Sequence, residues 1–172
     1  MEGRKVGELA MAPDNRHCVF QYSREWLADG FSVSPLELPL RQDLFIAQKD
    51  SFAGNFGIFD DSIPDGYGRY LLSRLLRKQG IDASTLTPVQ MLSIVGKSGM
   101  GALTYLPETF VGEDKALPEL DELQDLAFNV LSEKSDKDED VLYFNSGNSG
   151  GCRPKCLMKD DEGEWLVKFR HV

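Results

Sequence analysis

The glycine-rich stretch at residues 145–154 places the strongest constraint on how this chain can fold. It reads N-S-G-N-S-G-G-C-R-P, and its three glycines and its proline exclude it from the interior of a helix or a central strand. Strand-forming residues flank this segment, hereafter the glycine loop. We expect strands at Val141–Phe144, Lys155–Lys159 and Glu164–Phe169, with a hairpin turn at Asp160–Gly163.

Phosphate binding is one chemistry that such an arrangement can support. Glycines let backbone N–H groups approach an anion without a Cβ atom in the way. Lys168 stands between Val167 and Phe169 in an otherwise apolar strand, where an ammonium group either reaches solvent or serves an anion. Protein kinases cover the nucleotide phosphates with a glycine-rich loop and pair them with a lysine on a following strand. The pattern alone leaves two interpretations open, a phosphate cradle or an ordinary hairpin loop with a solvated edge lysine.

The rest of the chain predicts short strands and helices, which makes the fold class α+β. Strands are expected at Arg4–Met11, His17–Tyr22 and Gly101–Leu106, and an extended segment at Phe31–Arg41. Helices are expected from an N-cap at Asp65 to Gly80, from a capping box at Thr87 and Gln90 to Gly96, and over about Pro118–Glu133.

Acidic residues are concentrated in one part of the chain. Residues 108–140 carry twelve acidic residues and three lysines, a net charge of nine negative that equals that of the whole chain. In the rest of the chain, positive and negative charges balance. This disfavours strong nucleic-acid binding through a broad basic face. Ser132–Asp140 contains no apolar residue and predicts a solvated linker. We therefore expect three parts: an N-terminal α+β subdomain at 1–107, an acidic helix and linker at 108–140, and a β segment at 141–172.

Several common kinds of site and segment are disfavoured. The chain shows no secretory signal and no apolar run near the roughly 20 residues that cross a bilayer. Its three cysteines complete no zinc pattern and are expected to be reduced thiols of a cytoplasmic protein without a metal site. Gly96-Lys97-Ser98 is like the end of a Walker A loop, but Met91 stands where that motif needs glycine.

Four segments in order resemble the HipA-type serine/threonine kinases. Residues 59–69, F-D-D-S-I-P-D-G-Y-G-R, are similar to the family's F-x-x-x-x-P-D-x-W/Y-G-R signature. Residues 96–103, G-K-S-G-M-G-A-L, resemble its G-x-x-G-x-G-A-L turn. Residues 149–155, S-G-G-C-R-P-K, resemble its S-x-G-G-A-x-P-K loop, with Cys152 where alanine is usual, and residues 165–169, W-L-V-K-F, resemble its W-I-V-K-F strand.

The resemblance implies a bacterial toxin kinase with a protein-kinase-like or phosphoinositide-kinase-like core behind an N-terminal subdomain. Residues 141–172 would begin its small lobe. Such a kinase uses ATP and Mg²⁺ to phosphorylate a protein such as an aminoacyl-tRNA synthetase, which leads to growth arrest. A HipB-like helix-turn-helix antitoxin binds it and contacts operator DNA, so DNA contact is indirect. No membrane partner is implied.

The same resemblance assigns roles to individual residues. The nucleotide-binding residues would be Ser149, Gly150, Gly151, Cys152, Arg153, Lys155 and Lys168. Ser149 and Ser146 are candidates for loop autophosphorylation. The family's catalytic aspartate and asparagine and its metal-binding aspartate belong to a larger C-terminal lobe and match no residue here. We therefore expect the chain alone to be inactive, whether it is a shortened piece, an interrupted gene or a separate subunit. The alternative is a non-catalytic docking module or antitoxin-like subunit that binds a kinase core.

Overall fold

Antiparallel strands near the N-terminus form a small sheet. The computed structural model describes residues 3–48, 52–99, 101–109, 111, 118–132, 139–146 and 151–170. Strand β1 (Gly7–Met11) pairs with β2 (Cys18–Tyr22), helix α1 (Arg24–Asp29) follows, and β3 (Phe45–Ile46) pairs with the other edge of β2. Both predicted N-terminal strands are confirmed with slightly shorter bounds. The strand order is β1–β2–β3, so β1 lies at one edge.

Aromatic side chains of this sheet form the core beneath it. Cys18, Phe20 and Tyr22 alternate along β2 and are buried because successive side chains of a strand point to opposite faces. The Phe20 ring lies 5.1 Å from the ring of Phe59, measured between centroids. Phe59 belongs to the short helix α2 (Gly57–Asp60), which follows a 3₁₀ turn at Phe52–Gly54. Strand alternation thus places aromatic area where the next helix can cover it.

The helices that the sequence predicts from capping and terminating residues are present. Helix α3 (Gly66–Lys78) begins after Asp65 and ends before Gly80, and a 3₁₀ turn at Ala83–Thr85 follows it. Helix α4 (Pro88–Val95) begins with the predicted capping box, because the Thr87 hydroxyl accepts from the Gln90 N–H group and the Gln90 side chain accepts from that of Thr87. Helix α5 (Leu120–Leu131) buries Leu123, Ala127 and Val130.

Residues Val141–Phe144 are helical, so the strand predicted there is wrong. Helix α6 (Glu139–Ser146) contains them and buries Val141, Leu142 and Tyr143. Glu139 begins this helix fully buried and forms ion pairs with Arg74 and Lys78 of α3, at 2.7 Å for the Lys78 Nζ atom. Tertiary contacts therefore override the strand preference of the local residues. Because Glu139 and Asp140 are buried, the predicted solvated linker is also wrong at its C-terminal end. Residues 133–138 of that linker lie outside the described residues.

The predicted strand Gly101–Leu106 is also wrong. These residues are irregular, and the Tyr105 N–H group donates to the Gly96 carbonyl at 3.0 Å, so the segment bonds the end of α4 instead of a strand. The C-terminal hairpin is confirmed. Strands β4 (Lys155–Asp160) and β5 (Gly163–Lys168) pair antiparallel, and Asp160 lies opposite Gly163.

The fold divides into two units. The first contains Met1–Ile63 and Leu86–Thr109, and the second contains Pro64–Thr85 and Phe110–Val172. Helices α3, α5 and α6 therefore share a unit with the C-terminal hairpin. The domain division expected at residues 107 and 140 stays a prediction. Among the described residues, no helix is long and apolar enough to cross a membrane.

We expect Glu139→Ala to destabilise the protein by about 3 kcal/mol, because it removes one partner of a buried charge pair. Urea unfolding followed by circular dichroism measures the change. Asp125→Ala, an exposed carboxylate of α5, is the control and should change the free energy of unfolding by less than about 0.5 kcal/mol. Equal midpoints for both variants would contradict a structural role for Glu139.

Candidate functional site

The C-terminal end of the glycine loop is attached to the start of helix α3. The Gly151 N–H group donates to the Asp65 Oδ1 atom at 2.9 Å, and the Gly151 carbonyl accepts from the Tyr67 N–H group at 3.2 Å. The Lys155 Nζ atom also donates to this carbonyl, at 3.4 Å. Both backbone polar groups of Gly151, its N–H group and its carbonyl, are thus bonded to named partners.

Two lysines of the hairpin lie directly opposite each other. Lys155 of β4 and Lys168 of β5 are register partners, and residues directly opposite in an antiparallel pair share one face. The Phe169 N–H group donates to the Pro154 carbonyl at 2.9 Å. The neighbouring pair, Lys155 and Lys168, is therefore of the non-hydrogen-bonded kind, in which side chains are closest. Lys155 is buried whereas Lys168 is exposed.

This lysine pair, Lys155 and Lys168, favours an anion. The two ammonium groups lie on one face of the hairpin, and positive charges attract an anion. Cys152 and Arg153 of the loop end are exposed nearby in sequence, and the carboxylate of Asp65 is already bonded to Gly151. The residues present thus suit the phosphates of a nucleotide. No group of three metal-binding side chains occurs among the described residues, so nothing here identifies a Mg²⁺ ligand set.

The remaining predicted site residues are described only in part. Ser149 and Gly150 lie outside the described residues. Ser146 is the last residue of α6, but its side chain lies outside them too. The structure therefore relates Gly151, Lys155 and Lys168 to one another and leaves both serine assignments as predictions.

Sequence reasoning missed the role of the residues that begin α3. Asp65 is at the N-cap position, as predicted, but its side chain does not bond its own helix and accepts from Gly151 instead. Gly66 has a φ of +44°, and a Cβ atom there would lie 2.7 Å from the Gly151 carbonyl oxygen. The signal in the sequence was a glycine at the first position of the helix, directly after the N-cap aspartate. Only a position needing positive φ or close approach explains that glycine.

A separate cleft lies in the first unit beside the edge strand β1. It has a volume of about 1000 Å³ and is lined by β1, by α4 residues such as Leu92, and by the segment from Leu103 to Pro107. The Ala12 N–H group donates to His17, and the Val6 carbonyl accepts from Ser23. Antiparallel alternation then directs the N–H and carbonyl groups of Gly7, Leu9 and Met11 away from β2. Among the described residues, these groups have no hydrogen-bond partner.

These features define a mixed α and β protein with small antiparallel sheets. Comparison with known families identifies it further, since the family model of the HipA N-terminal domain matches residues 1–106. That match spans more than half of the 172 residues, and the chain belongs to the HipA family. The glycine loop and the lysine pair lie beyond the matched residues, in the second unit.

The three cysteines should differ in reactivity. Burial raises the pKa of the Cys18 thiol to about 11 and raises the pKa of the Cys156 thiol, whereas Cys152 is exposed. The thiolate is the reacting form, so a raised pKa leaves less of it at mildly alkaline pH. We expect iodoacetamide to modify Cys152 at least roughly tenfold faster than the other two. Peptide mass spectrometry over time measures this, and equal rates would contradict the burial of Cys18 and Cys156.

Proposed function

We propose that this chain provides the nucleotide-gripping part of a HipA-type serine/threonine kinase that acts as a toxin in the cytoplasm. ATP, bound with Mg²⁺, supplies the phosphoryl group that is transferred to a serine or threonine of a protein. A translation component such as an aminoacyl-tRNA synthetase is the proposed target, and growth arrest the result. A HipB-like antitoxin is the proposed partner, and contact with DNA is through that antitoxin.

The observation that carries this proposal is the lysine pair beside the loop end. Lys168 is exposed, and the contact with the Gly151 carbonyl is made by Lys155. The Lys168 ammonium group is therefore the one that we expect to bind a phosphate oxygen. Lys155 adds a second positive charge on the same face. Such cationic and amide groups stabilise the charge that spreads over the phosphoryl oxygens during transfer.

The loop amides divide into two groups. The Gly151 N–H group already donates to Asp65, so its contribution is to shape the loop. The next N–H groups, those of Cys152 and Arg153, follow this anchored peptide and are the proposed phosphate donors. Arg153 adds a guanidinium, which suits bidentate phosphate contact.

We expect Mg²⁺–ATP to shift the backbone amide NMR signals of Cys152, Arg153, Lys155 and Lys168 in the ¹⁵N-labelled chain. Lys168→Ala should weaken binding roughly tenfold, the loss expected for one charge-assisted contact. Lys97→Ala, an exposed lysine of the first unit, is the matched control and should bind as the unaltered chain does. ATP should also slow the alkylation of Cys152. Shifts that survive Lys168→Ala unchanged, or no shifts at all, would exclude the proposed role of the lysine pair.

A docking module that binds a protein partner is the second candidate, and the cleft beside β1 favours it. An extended segment of a partner protein could pair with the outward N–H and carbonyl groups of Gly7, Leu9 and Met11 as an added strand, with alternate apolar side chains in the cleft.

Hydrogen exchange tests this second candidate. In the free chain, the amides of Gly7, Leu9 and Met11 should exchange faster than those of Glu8 and Ala10, which bond β2. Addition of a kinase core should slow exchange at the first three only. If the kinase core binds and leaves those three amides unprotected, β1 is not the docking strand.

A further inference from the structure

The start of helix α3 makes polar contacts that the proposed nucleotide site does not yet use. In the turn Asp65-Gly66-Tyr67, the Asp65 carboxylate accepts from the Gly151 N–H group and the Tyr67 N–H group donates to the Gly151 carbonyl. We propose that this turn positions the end of the glycine loop for nucleotide binding, with Asp65 as the positioning residue. This inference rests on the proposed function.

Three contacts restrain the backbone of Gly151. Asp65 holds the N–H group through a charge-assisted hydrogen bond, which is stronger than a neutral one. The N–H group of Tyr67 holds the carbonyl from the first turn of α3, and the Lys155 ammonium holds it from the hairpin. With its N–H group and its carbonyl both bonded, the backbone of Gly151 is held at the start of α3.

The restraint passes directly to the groups that would bind phosphate. The Gly151 carbonyl and the Cys152 N–H group belong to the same planar peptide unit, so holding the carbonyl also fixes the direction of the Cys152 N–H group, and Arg153 follows it in the chain. The contact between Lys155 and the Gly151 carbonyl also connects the loop to the lysine pair on the hairpin. Ordering these groups before the ligand arrives lowers the entropy cost of binding.

Gly66 is needed because two backbones meet at this point. A Cβ atom on Gly66 would lie 2.7 Å from the Gly151 carbonyl oxygen and 2.8 Å from its carbon, both backbone atoms that cannot move aside as a side chain can. Its φ of +44° also favours glycine. Gly80, after the other end of α3, has a similar φ of +75° but has nothing within 4 Å of a Cβ atom. The two glycines therefore share the backbone strain and differ in the contact.

The experiment measures Mg²⁺–ATP binding by NMR titration and thermal unfolding in parallel for six chains: the unaltered chain, Asp65→Ala, Asp65→Asn, Asp61→Ala, Gly66→Ala and Gly80→Ala. Asp65→Ala should weaken ATP binding roughly tenfold, whereas Asp65→Asn, which keeps an acceptor oxygen, should recover most of the affinity. Gly66→Ala should weaken binding at least as much as Asp65→Ala. Gly80→Ala, which adds the backbone strain without the clash, should lower the melting temperature less than Gly66→Ala and leave the affinity unchanged.

The outcomes separate this inference from the function on which it rests. If the unaltered chain does not bind ATP, the proposed nucleotide site itself fails. If that chain binds and Asp65→Ala binds equally well, the site stands and the positioning role is overturned. If Asp65→Ala and Asp61→Ala, an exposed carboxylate four residues earlier, weaken binding equally, general charge and not the hydrogen bond to Gly151 is responsible, which also overturns the inference. Asp65 is exposed, so the Asp65→Ala variant should fold, and the test does not depend on Gly66→Ala.

Discussion

The ion pairs of the buried Glu139 with Arg74 and Lys78 determine how the second unit is organised. A fully buried carboxylate needs nearby cations, and helix α3 presents two of them one turn apart. Satisfying Glu139 brings the start of α6 against α3, and this contact makes residues 139–146 helical. The pKa of Arg74 is raised by its hydrogen bond to Glu139, which favours the charged guanidinium. Tyr70 adds to the same network, because its hydroxyl accepts from Arg74 and donates to the Val130 carbonyl of α5.

The two ends of helix α3 therefore make different polar contacts. Its C-terminal half binds α6 through Arg74 and Lys78, and its N-terminal turn binds the loop end through Asp65 and Tyr67. Between them, Leu71, Leu72, Leu75 and Leu76 are buried and attach the helix to its unit. Tyr67 lies among these buried groups with a hydroxyl that has no partner among the described residues, and burial raises its pKa. One rigid element thus links the ion pairs to the peptide that begins the proposed phosphate site.

Membership of the HipA family and the chemistry of the second unit support the proposal through different parts of the chain. The family match covers residues 1–106, whereas the lysine pair and the glycine loop lie after it. The kinase interpretation therefore depends on charge and geometry, mainly on two ammonium groups opposite each other in a hairpin. The open edge of β1 belongs to the first unit and concerns a protein partner. The two candidate surfaces belong to different units of the chain, so nucleotide binding and docking are tested with different residues.

Part of the fold could be predicted from the sequence because local rules specify it. Thr87 and Gln90 cap α4, Gly80 ends α3, and the alternation around the Asp160–Gly163 turn defines the hairpin, since each of these depends only on neighbouring residues. Lys168 was identified in the same way, as a charge inside an apolar strand. Three features could not be predicted locally: Val141–Phe144 is helical, Gly101–Leu106 is not a strand, and Asp65 bonds Gly151 across 86 positions of sequence. The physical reason is that burial of a charge and the close approach of two backbones are long-range constraints, which no local pattern of residues contains.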